Sequence, residues 1–361
     1  MQRPRSGWRG ARRLATLALA IVASSCGART YEQSYLGARD NWFFRDRYPR
    51  ADHLFNGFDY GHAILSETLL RHRGDAGQRL DGPVYRFLTC TVLRNPPTVP
   101  LEERAVGPTY GARFPEVVAT FEWAHLLHRQ LYDVIADERL TPDARAARVR
   151  AALRYYRSRR DLALSEVPKS MELMEGQRYS LAFRRAAPRF NGLIWAYHWL
   201  QMALYDALLE APDAPSRRTA VARDVERFMR MTTELGAHAP TAMPMSAAIA
   251  PEFTRRYPEA AIIFDNLHSL HDVVSDVLAS PLVPENRKRA EIALALARYR
   301  DSTSFTMTRD EWLTMSREMG ALDPAREGPT TPGPNTASPR GDRAVDSSSC
   351  DSSTTLGATK P

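Results

Sequence analysis

Four segments of this 361-residue chain repeat one pattern, in which a proline begins a mostly apolar run that carries histidines and acids at fixed offsets. The prolines are Pro49, Pro115, Pro188 and Pro258, and the polar positions fall seven, ten, thirteen and eighteen residues after each of them. Because an α-helix turns by about 100° per residue, these offsets lie within an arc of roughly 140°. The repeat therefore predicts four helices, each with a stripe of polar side chains along one side.

The stripe consists mainly of histidines and acids. Offset seven is Asn56, Glu122, Trp195 and Asp265, and offset ten is Asp59, His125, His198 and His268. Offset thirteen is His62, His128, Gln201 and His271, and offset eighteen is acidic throughout, with Glu67, Asp133, Asp206 and Asp276. A helix that is apolar around most of its surface is usually buried, and buried imidazoles and carboxylates are costly unless they are paired or bound to a metal. Arg129 is the main basic residue within these runs, so the sequence predicts a metal ion as the partner of the stripe.

A second set of prolines begins a second kind of helix. These prolines lie 27, 27 and 26 residues after the preceding repeat proline and are Pro142, Pro215 and Pro284. The runs behind them are rich in arginine and keep an apolar stripe, which is typical of helices that face solvent. The sequence thus predicts an all-α fold of repeated helical hairpins, in which an inner four-helix bundle is sheathed by basic outer helices. The first copy departs from the pattern, and its residues 84–93 have the composition of a strand. Residues 170–187 and 309–320 are predicted to form further helices.

At offsets seven and ten, the second and fourth predicted inner helices each place a carboxylate three residues before a histidine, as Glu122 and His125 and as Asp265 and His268. This spacing brings both side chains to one helical face, where they can reach the same metal ion. The pattern resembles the ferritin-like di-iron carboxylate proteins, whose four-helix bundles supply such a pair from each of two helices and a further acid from each of the others. The resemblance implies a two-metal, iron-type centre with redox or oxygen-dependent activity.

The predicted ligand set is richer in nitrogen than that family's pattern. Each paired helix carries an additional histidine, His128 or His271, and the third helix has His198 where the family has an acid. Imidazole also suits zinc and copper, so these metals are alternatives to iron. The full set of predicted metal ligands is Asp59, His62, Glu122, His125, His128, His198, Asp265, His268 and His271.

Further polar residues lie beyond the predicted ligands along each helix. The acids at offset eighteen have three alternative interpretations. They could accept hydrogen bonds from the imidazole rings and so fix their tautomers, form a second site, or face water at the helix ends. Tyrosines at offset seventeen lie beside them, and buried hydrogen bonding is the interpretation favoured for these. The residues concerned are Glu67, Asp133, Asp206, Asp276, Tyr132 and Tyr205.

Both ends of the chain lie outside the repeat. Residues 1–25 have a basic start, a short apolar core and small residues before Cys26, and they resemble a bacterial lipoprotein signal. We therefore predict export to the cell envelope, where a lipid on Cys26 anchors the protein to a membrane, facing the periplasm or the exterior. A free secreted or periplasmic protein is the alternative. Residues 26–45 are predicted to be a linker, residues 46–321 the helical repeat domain, and residues 322–361 a disordered tail rich in Pro, Ser and Thr.

Charge and cysteine content exclude two classes of site. Removal of the five arginines of the signal lowers the formal net charge from +7 to +2, so the basic composition does not indicate binding to nucleic acid. Besides Cys26 the chain contains only Cys90 and Cys350, which excludes a cysteine-ligated metal site. The same count indicates a fold that does not rely on disulfides.

Three other functions fit the same stripe. Opposed histidines could ligate a b-type haem for electron transfer, although the acids argue against it. The helical repeat could instead be an interaction surface at the membrane, with histidines that only hydrogen-bond within the core. The third alternative is a zinc-dependent hydrolase in which a carboxylate acts as general base. The sequence does not identify the small-molecule substrate or the redox partner.

Overall fold

The computed structural model describes residues 42–233, 239–321 and 350. Within these ranges the fold is all-α, and the predicted helical hairpins around an inner four-helix bundle are confirmed. The first to fourth inner helices are, in order, Pro49–Arg71, Pro115–Ala136, Pro188–Glu210 and Pro258–Ala279. The first and the second inner helix each pack against the third and the fourth. No helix in the described part of the chain has both the length and the apolar character that crossing a membrane requires.

The proline that begins each inner helix also ends the helix before it. Proline suits the first helical turn, because the amide that it lacks would be unpaired there. The residue before a proline is sterically kept out of the helical region. These preceding residues have φ angles of −132°, −130°, −142° and −134° and are Tyr48, Phe114, Ala187 and Tyr257. The chain therefore turns at this residue in every repeat.

A short helix precedes the turn in all four repeats. These helices, here called lead-in helices, are Phe43–Arg47, Pro108–Arg113, Ala182–Ala186 and Pro251–Arg256. They were not predicted as a repeated element. Residues 170–187 were predicted as one helix but form Met171–Glu175 and the third lead-in helix, separated by residues that include Leu181 with a left-handed φ of 65°.

The predicted outer helices follow the second, third and fourth inner helices and pack against them. They are Pro142–Ser158, Ala214–Thr233 and Glu285–Arg300. Thr141 caps the first of them, because its hydroxyl accepts a hydrogen bond from the backbone nitrogen of Ala144 at 3.3 Å. The predicted last helix is also confirmed, as Arg309–Ala321.

An irregular helix stands where a strand was predicted in the first repeat. Residues 76–92 form consecutive α and π segments, which are Ala76–Arg79, Leu80–Val84, Tyr85–Phe87 and Leu88–Val92. The prediction of a strand at 84–93 was therefore wrong. Burial of Leu88 and Val92 in the core outweighs the strand preference of the β-branched residues in this segment. Gly77 is required here, because a Cβ atom would collide with the carbonyl oxygen of Ala186.

A disulfide joins Cys90 on this irregular helix to Cys350. The inference that the fold does not rely on disulfides is thereby corrected, since the bond connects positions 260 residues apart in the sequence. The described helical domain begins at Phe43 and ends at Ala321. The predicted signal at 1–25, Cys26, most of the linker and all of the tail except Cys350 lie outside the described residues.

Candidate metal centre

Six of the predicted ligands are histidines, and the structure brings all six together inside the bundle. The first inner helix carries His62, the second His125 and His128, the third His198, and the fourth His268 and His271. Each of these six histidines is at most 4% exposed. On the second and fourth helices the two histidines are three residues apart, almost one helical turn, so both face inward.

One group within this cluster is formed by His62, His125 and His271. A nitrogen of each ring can be chosen so that all three nitrogens lie within 4.8 Å of one another. The ring centroid of His271 lies 4.0 Å from that of His62 and 5.4 Å from that of His125. Because metal–imidazole bonds are about 2.0–2.1 Å long, three nitrogens at this separation can converge on one ion after small adjustments.

A second group is formed by His128, His198 and His268. The rings of His198 and His268 are stacked, with centroids 4.0 Å apart and planes inclined by 13°, and the ring of His128 lies 5.9 Å from that of His268. The Nε2 atom of His268 lies 3.2 Å from the side-chain oxygen of Gln201. The Nδ1 atom of His128 lies 2.9 Å from the hydroxyl of Tyr205. One ring nitrogen of His268 and one of His128 therefore have a hydrogen-bonding partner.

Most ring nitrogens of the cluster have no such partner. Among the described residues, ten of the twelve ring nitrogens of the six histidines make no hydrogen bond. A buried polar atom left without a partner costs about 1–3 kcal/mol. Burial lowers the pKa of all six imidazoles, to about 3 for His62 and His268. The rings are therefore neutral at pH 7, which is the form that binds a metal ion.

Asp59 lies directly against the cluster. Its Oδ1 atom is 3.3 Å from Nδ1 of His125, and its Oδ2 atom accepts a hydrogen bond from Nη2 of Arg129 at 2.6 Å. Burial raises the pKa of Asp59 to about 6, although the positive charge of Arg129 opposes the shift. Asp59 is thus placed to orient the ring of His125, and Arg129 balances the buried carboxylate.

The carboxylates of Glu122 and Asp265 have partners elsewhere. Glu122 accepts a hydrogen bond from the backbone nitrogen of Glu103 at 3.2 Å. Asp265 accepts hydrogen bonds from the hydroxyl of Ser246 at 2.6 Å and from the indole of Trp312 at 2.8 Å. Neither acid belongs to the group of three histidines found among the described residues. Burial raises the pKa of Glu122 to about 7 and that of Asp265 to about 6. Through these hydrogen bonds, both acids attach neighbouring segments of the chain to the bundle.

The acids at offset eighteen bind the lead-in helices. Glu67, on the first inner helix, accepts a hydrogen bond at 2.8 Å from the backbone nitrogen of Tyr110, in the lead-in helix of the second repeat. Asp133, on the second inner helix, accepts one at 2.9 Å from the backbone nitrogen of Phe44, in the lead-in helix of the first repeat. The first two repeats therefore cap each other's lead-in helices.

The third and fourth repeats make the same exchange. Asp206 accepts hydrogen bonds from the backbone nitrogens of residues in the fourth lead-in helix, and Asp276 accepts them at the start of the third. Burial raises the pKa of both acids to about 6, against the effect of these hydrogen bonds. Of the three interpretations of the offset-eighteen acids, these contacts agree with a role at helix ends, although the acids are buried rather than facing water.

The two tyrosines at offset seventeen are hydrogen-bonded within the core. The hydroxyl of Tyr132 donates to the carbonyl oxygen of Gln201 at 2.5 Å. The hydroxyl of Tyr205 lies beside Nδ1 of His128, and the two phenol rings stack with centroids 4.6 Å apart. These contacts agree with the interpretation of buried, hydrogen-bonding tyrosines.

Two residues near the cluster, Glu103 and Gln201, were not among the predicted site residues. Glu103 is 1% exposed, and its Oε1 atom lies 4.0 Å from Nδ1 of His125. Burial raises its pKa well above the usual value. Glu103 belongs to a short helix outside the repeat, so no offset pointed to it. Gln201 lies at offset thirteen, where the other copies have histidine, and this register was the signal that could have marked it.

The fold and the cluster define an all-α bundle protein with a buried polyhistidine site. No protein-family model matches the chain, and neither a curated protein nor a solved structure shows significant similarity to it.

Proposed function

We propose that this protein is an exported metal-binding helical bundle, in which His62, His125 and His271 hold a divalent transition-metal ion. The observation that carries the proposal is the approach of their nitrogens to within 4.8 Å of one another in the bundle interior. The unpartnered ring nitrogens support it, because an ion would satisfy buried atoms that are otherwise costly.

The donor set defines the class of metal. All three donors are neutral imidazole nitrogens, which iron, copper and zinc accept and which magnesium and calcium disfavour. Three protein ligands leave a coordination position open, as in catalytic sites. The iron-type centre implied by the resemblance remains the leading choice for a redox function, and copper offers the same chemistry with these donors.

The burial of the cluster limits what can reach the ion. Because each of the three histidines is at most 4% exposed, the site suits electrons, protons and small molecules such as dioxygen rather than a bulky substrate. We therefore propose redox or oxygen-dependent activity for the centre. In that role Asp59 orients His125, while the aromatic residues around the cluster exclude water.

The packing around the cluster favours an ion over haem. The ring of Phe58 lies 4.0 Å from that of His62, and the ring of Phe121 lies 3.9 Å from that of His271. On the other side, the ring of Phe264 lies 3.4 Å from that of His128. These aromatic rings fill space that a porphyrin would need.

The disulfide supports the proposed location. Disulfides persist in oxidising compartments and are rare in the reducing cytosol. A bond between Cys90 and Cys350 therefore suits a protein that is exported. Together with the signal-like residues 1–25, it supports a place in the cell envelope, held there by a lipid on Cys26.

Elemental analysis of the purified mature protein tests the proposal. We expect at least one iron, copper or zinc ion per chain in the wild type, and a lower content in the His271→Gln variant. The matched control is His72→Gln, which removes a histidine outside the cluster and should leave the metal content unchanged. An optical spectrum recorded on the same sample separates iron or copper from redox-silent zinc and reveals any haem. Wild-type protein that remains metal-free after dialysis against each of the three ions would refute the proposal.

A further inference from the structure

A small cavity lies close to the histidine cluster, at the end of the bundle where the first lead-in helix packs against the first and second inner helices. Its volume is about 10 Å³, which is close to the space that a single water molecule requires. This cavity, here called the side cavity, is lined by residues that include Arg45, Asp52, Phe55, Arg129, Tyr132 and Asp133. The side cavity can therefore hold one molecule of the size of water.

Charged side chains lead from the surface past the side cavity to the cluster. The side chain of Arg45 is 20% exposed, and its Nε atom donates a hydrogen bond to Oδ2 of Asp52 at 3.0 Å. Oδ1 of Asp52 lies 3.7 Å from Nη1 of Arg129. Nη2 of Arg129 in turn donates to Asp59, whose other carboxylate oxygen lies 3.3 Å from Nδ1 of His125. A small polar molecule that passes along these groups keeps hydrogen-bonding partners, so its desolvation costs little.

The acid in this route has no charged counterpart in the other repeats. Asp52 lies three residues after Pro49, and the equivalent positions in the second to fourth repeats are Val118, Asn191 and Ala261. Asp52 is only 7% exposed, and a buried carboxylate is costly unless it is paired. The common packing of the four repeats does not require a charge here, so the charged lining is a special feature of the first repeat.

The ring of Phe55 lies between the side cavity and two of the histidines. Its centroid is 6.1 Å from that of His125 and 5.9 Å from that of His128, and the guanidinium carbon of Arg129 lies 4.2 Å from it. Phe55 also lines the side cavity and is only 3% exposed. Side chains in a close-packed core still change rotamer, and a rotation of this ring would join the side cavity to the cluster.

We propose that the side cavity is the entrance to the metal centre, and that Phe55 determines which molecules pass through it. The inference rests on the proposed function and specifies its substrate class, which is limited to molecules about as narrow as water or dioxygen. Asp52 and Arg129 form the polar side of the entrance, and the ring of Phe55 closes it to larger organic molecules.

The size of the ligand that reaches the ion tests the proposal, with copper as the ion and azide and imidazole as the probes. Metal-free mature protein is loaded with Cu²⁺, and the binding of each probe to the ion is followed by absorption after rapid mixing. We expect the wild type to bind azide, which is a narrow linear ion, and to exclude imidazole, which is a ring. Phe55→Ala should bind azide several-fold faster than the wild type and should also bind imidazole.

Phe264→Ala is the matched control, because Phe264 occupies the same position in the fourth repeat, six residues after the proline. Its ring lies 3.4 Å from that of His128, but Phe264 does not line the side cavity. Truncation of Phe264 removes the same atoms beside the cluster without opening the entrance, so both probes should behave as they do with the wild type. Circular dichroism establishes that each variant is folded. If Phe55→Ala does not fold, the smaller change Phe55→Leu replaces it and should also accelerate azide binding.

Two kinds of failure can be told apart. If the folded Phe55 variant binds azide no faster than the wild type, or if Phe264→Ala accelerates binding equally, the entrance is overturned and the proposed function stands. A wild-type protein that binds imidazole as readily as azide overturns the entrance in the same way. A wild-type chain that binds no copper removes the proposed function, and the entrance with it.

Discussion

Asp206 and Asp276 each cap the lead-in helix that precedes the other's inner helix. Asp206 accepts hydrogen bonds from the backbone nitrogens of Glu252 at 2.9 Å and Phe253 at 2.8 Å. Asp276 accepts hydrogen bonds from the backbone nitrogen of Phe183 and from that of Leu181, both at 2.8 Å. Because only one residue joins each of these lead-in helices to its inner helix, this exchange fixes the relative height of the third and fourth inner helices, and with it the height of their histidines.

Asp276→Ala should therefore destabilise the fold substantially. It leaves two backbone nitrogens at a buried helix end without an acceptor, and we expect the free energy of unfolding to fall by roughly 3 kcal/mol. The matched control is Asp213→Ala, which removes an exposed cap that accepts from the backbone nitrogen of Ser216 at 2.8 Å and should cost clearly less. Urea denaturation measures both losses. Equal losses in the two variants would show that the reciprocal cap carries no special role.

Asp59 offers a second prediction, on metal affinity. Asp59→Leu removes the acceptor beside Nδ1 of His125 and should weaken metal binding by about 10- to 100-fold. Asp59→Asn retains an oxygen at this position and should have a smaller effect. Competition with a chromophoric chelator measures the affinities. The prediction fails if both variants bind metal as tightly as the wild type, or if the asparagine variant is the weaker of the two.

The buried histidines predict how the stability of the metal-free protein depends on pH. Burial lowers the pKa of His268 to about 3, whereas an imidazole in an unfolded chain titrates near 6.5. Between these values the unfolded chain binds a proton that the folded chain does not. The stability associated with the neutral ring is therefore present above about pH 6.5 and is lost as the pH falls towards 3, with a loss of about 2 kcal/mol between pH 7 and pH 5.

A comparison with His268→Leu isolates this effect from that of the buried acids. Burial raises the pKa of Asp59 and that of Asp265 to about 6, so these acids favour the folded state as the pH falls and act in the opposite direction. Their contribution is common to both proteins and cancels in the difference between them. The difference in unfolding free energy should change by about 2 kcal/mol between pH 7 and pH 5. Denaturation of both proteins at the two pH values measures this difference. If the free energy of unfolding changes by the same amount in the wild type and in His268→Leu, the prediction is wrong.

The histidine cluster was predictable because its geometry is local to each helix. Offsets of ten and thirteen fix which side of a helix a residue occupies, and the apolar character of the rest of each helix fixes that side as the interior. His62, His125 and His271 follow from that reasoning alone. The division of the six rings into two groups could not be predicted in this way. It depends on the position of each helix along the axes of its neighbours, which no local sequence pattern specifies.

The roles of the acids depended on contacts between repeats. Glu122 and His125 share a helical face, but the carboxylate of Glu122 extends towards Glu103, in a segment outside the repeat. Asp276 meets the start of a lead-in helix 93 to 95 residues away in the sequence. Nothing in the spacing of either acid distinguishes a metal ligand from a helix cap, since both are buried carboxylates on an inner helix.

The disulfide between Cys90 and Cys350 gives the last prediction. It closes a loop that contains the second, third and fourth inner helices but not the first, with a sequence separation of 260. In the chain-entropy description, a cross-link over a loop of this length stabilises the folded state by up to about 5 kcal/mol, because it restricts the unfolded chain. We therefore expect reduction to lower the free energy of unfolding by several kcal/mol, and Cys90→Ser to reproduce the stability of the reduced wild type.

Thiol titration of the unfolded protein should find the two cysteines oxidised after export and reduced when the chain is retained in the cytosol. Two free thiols in the exported protein, or a stability that reduction leaves unchanged, would contradict this account of the bond.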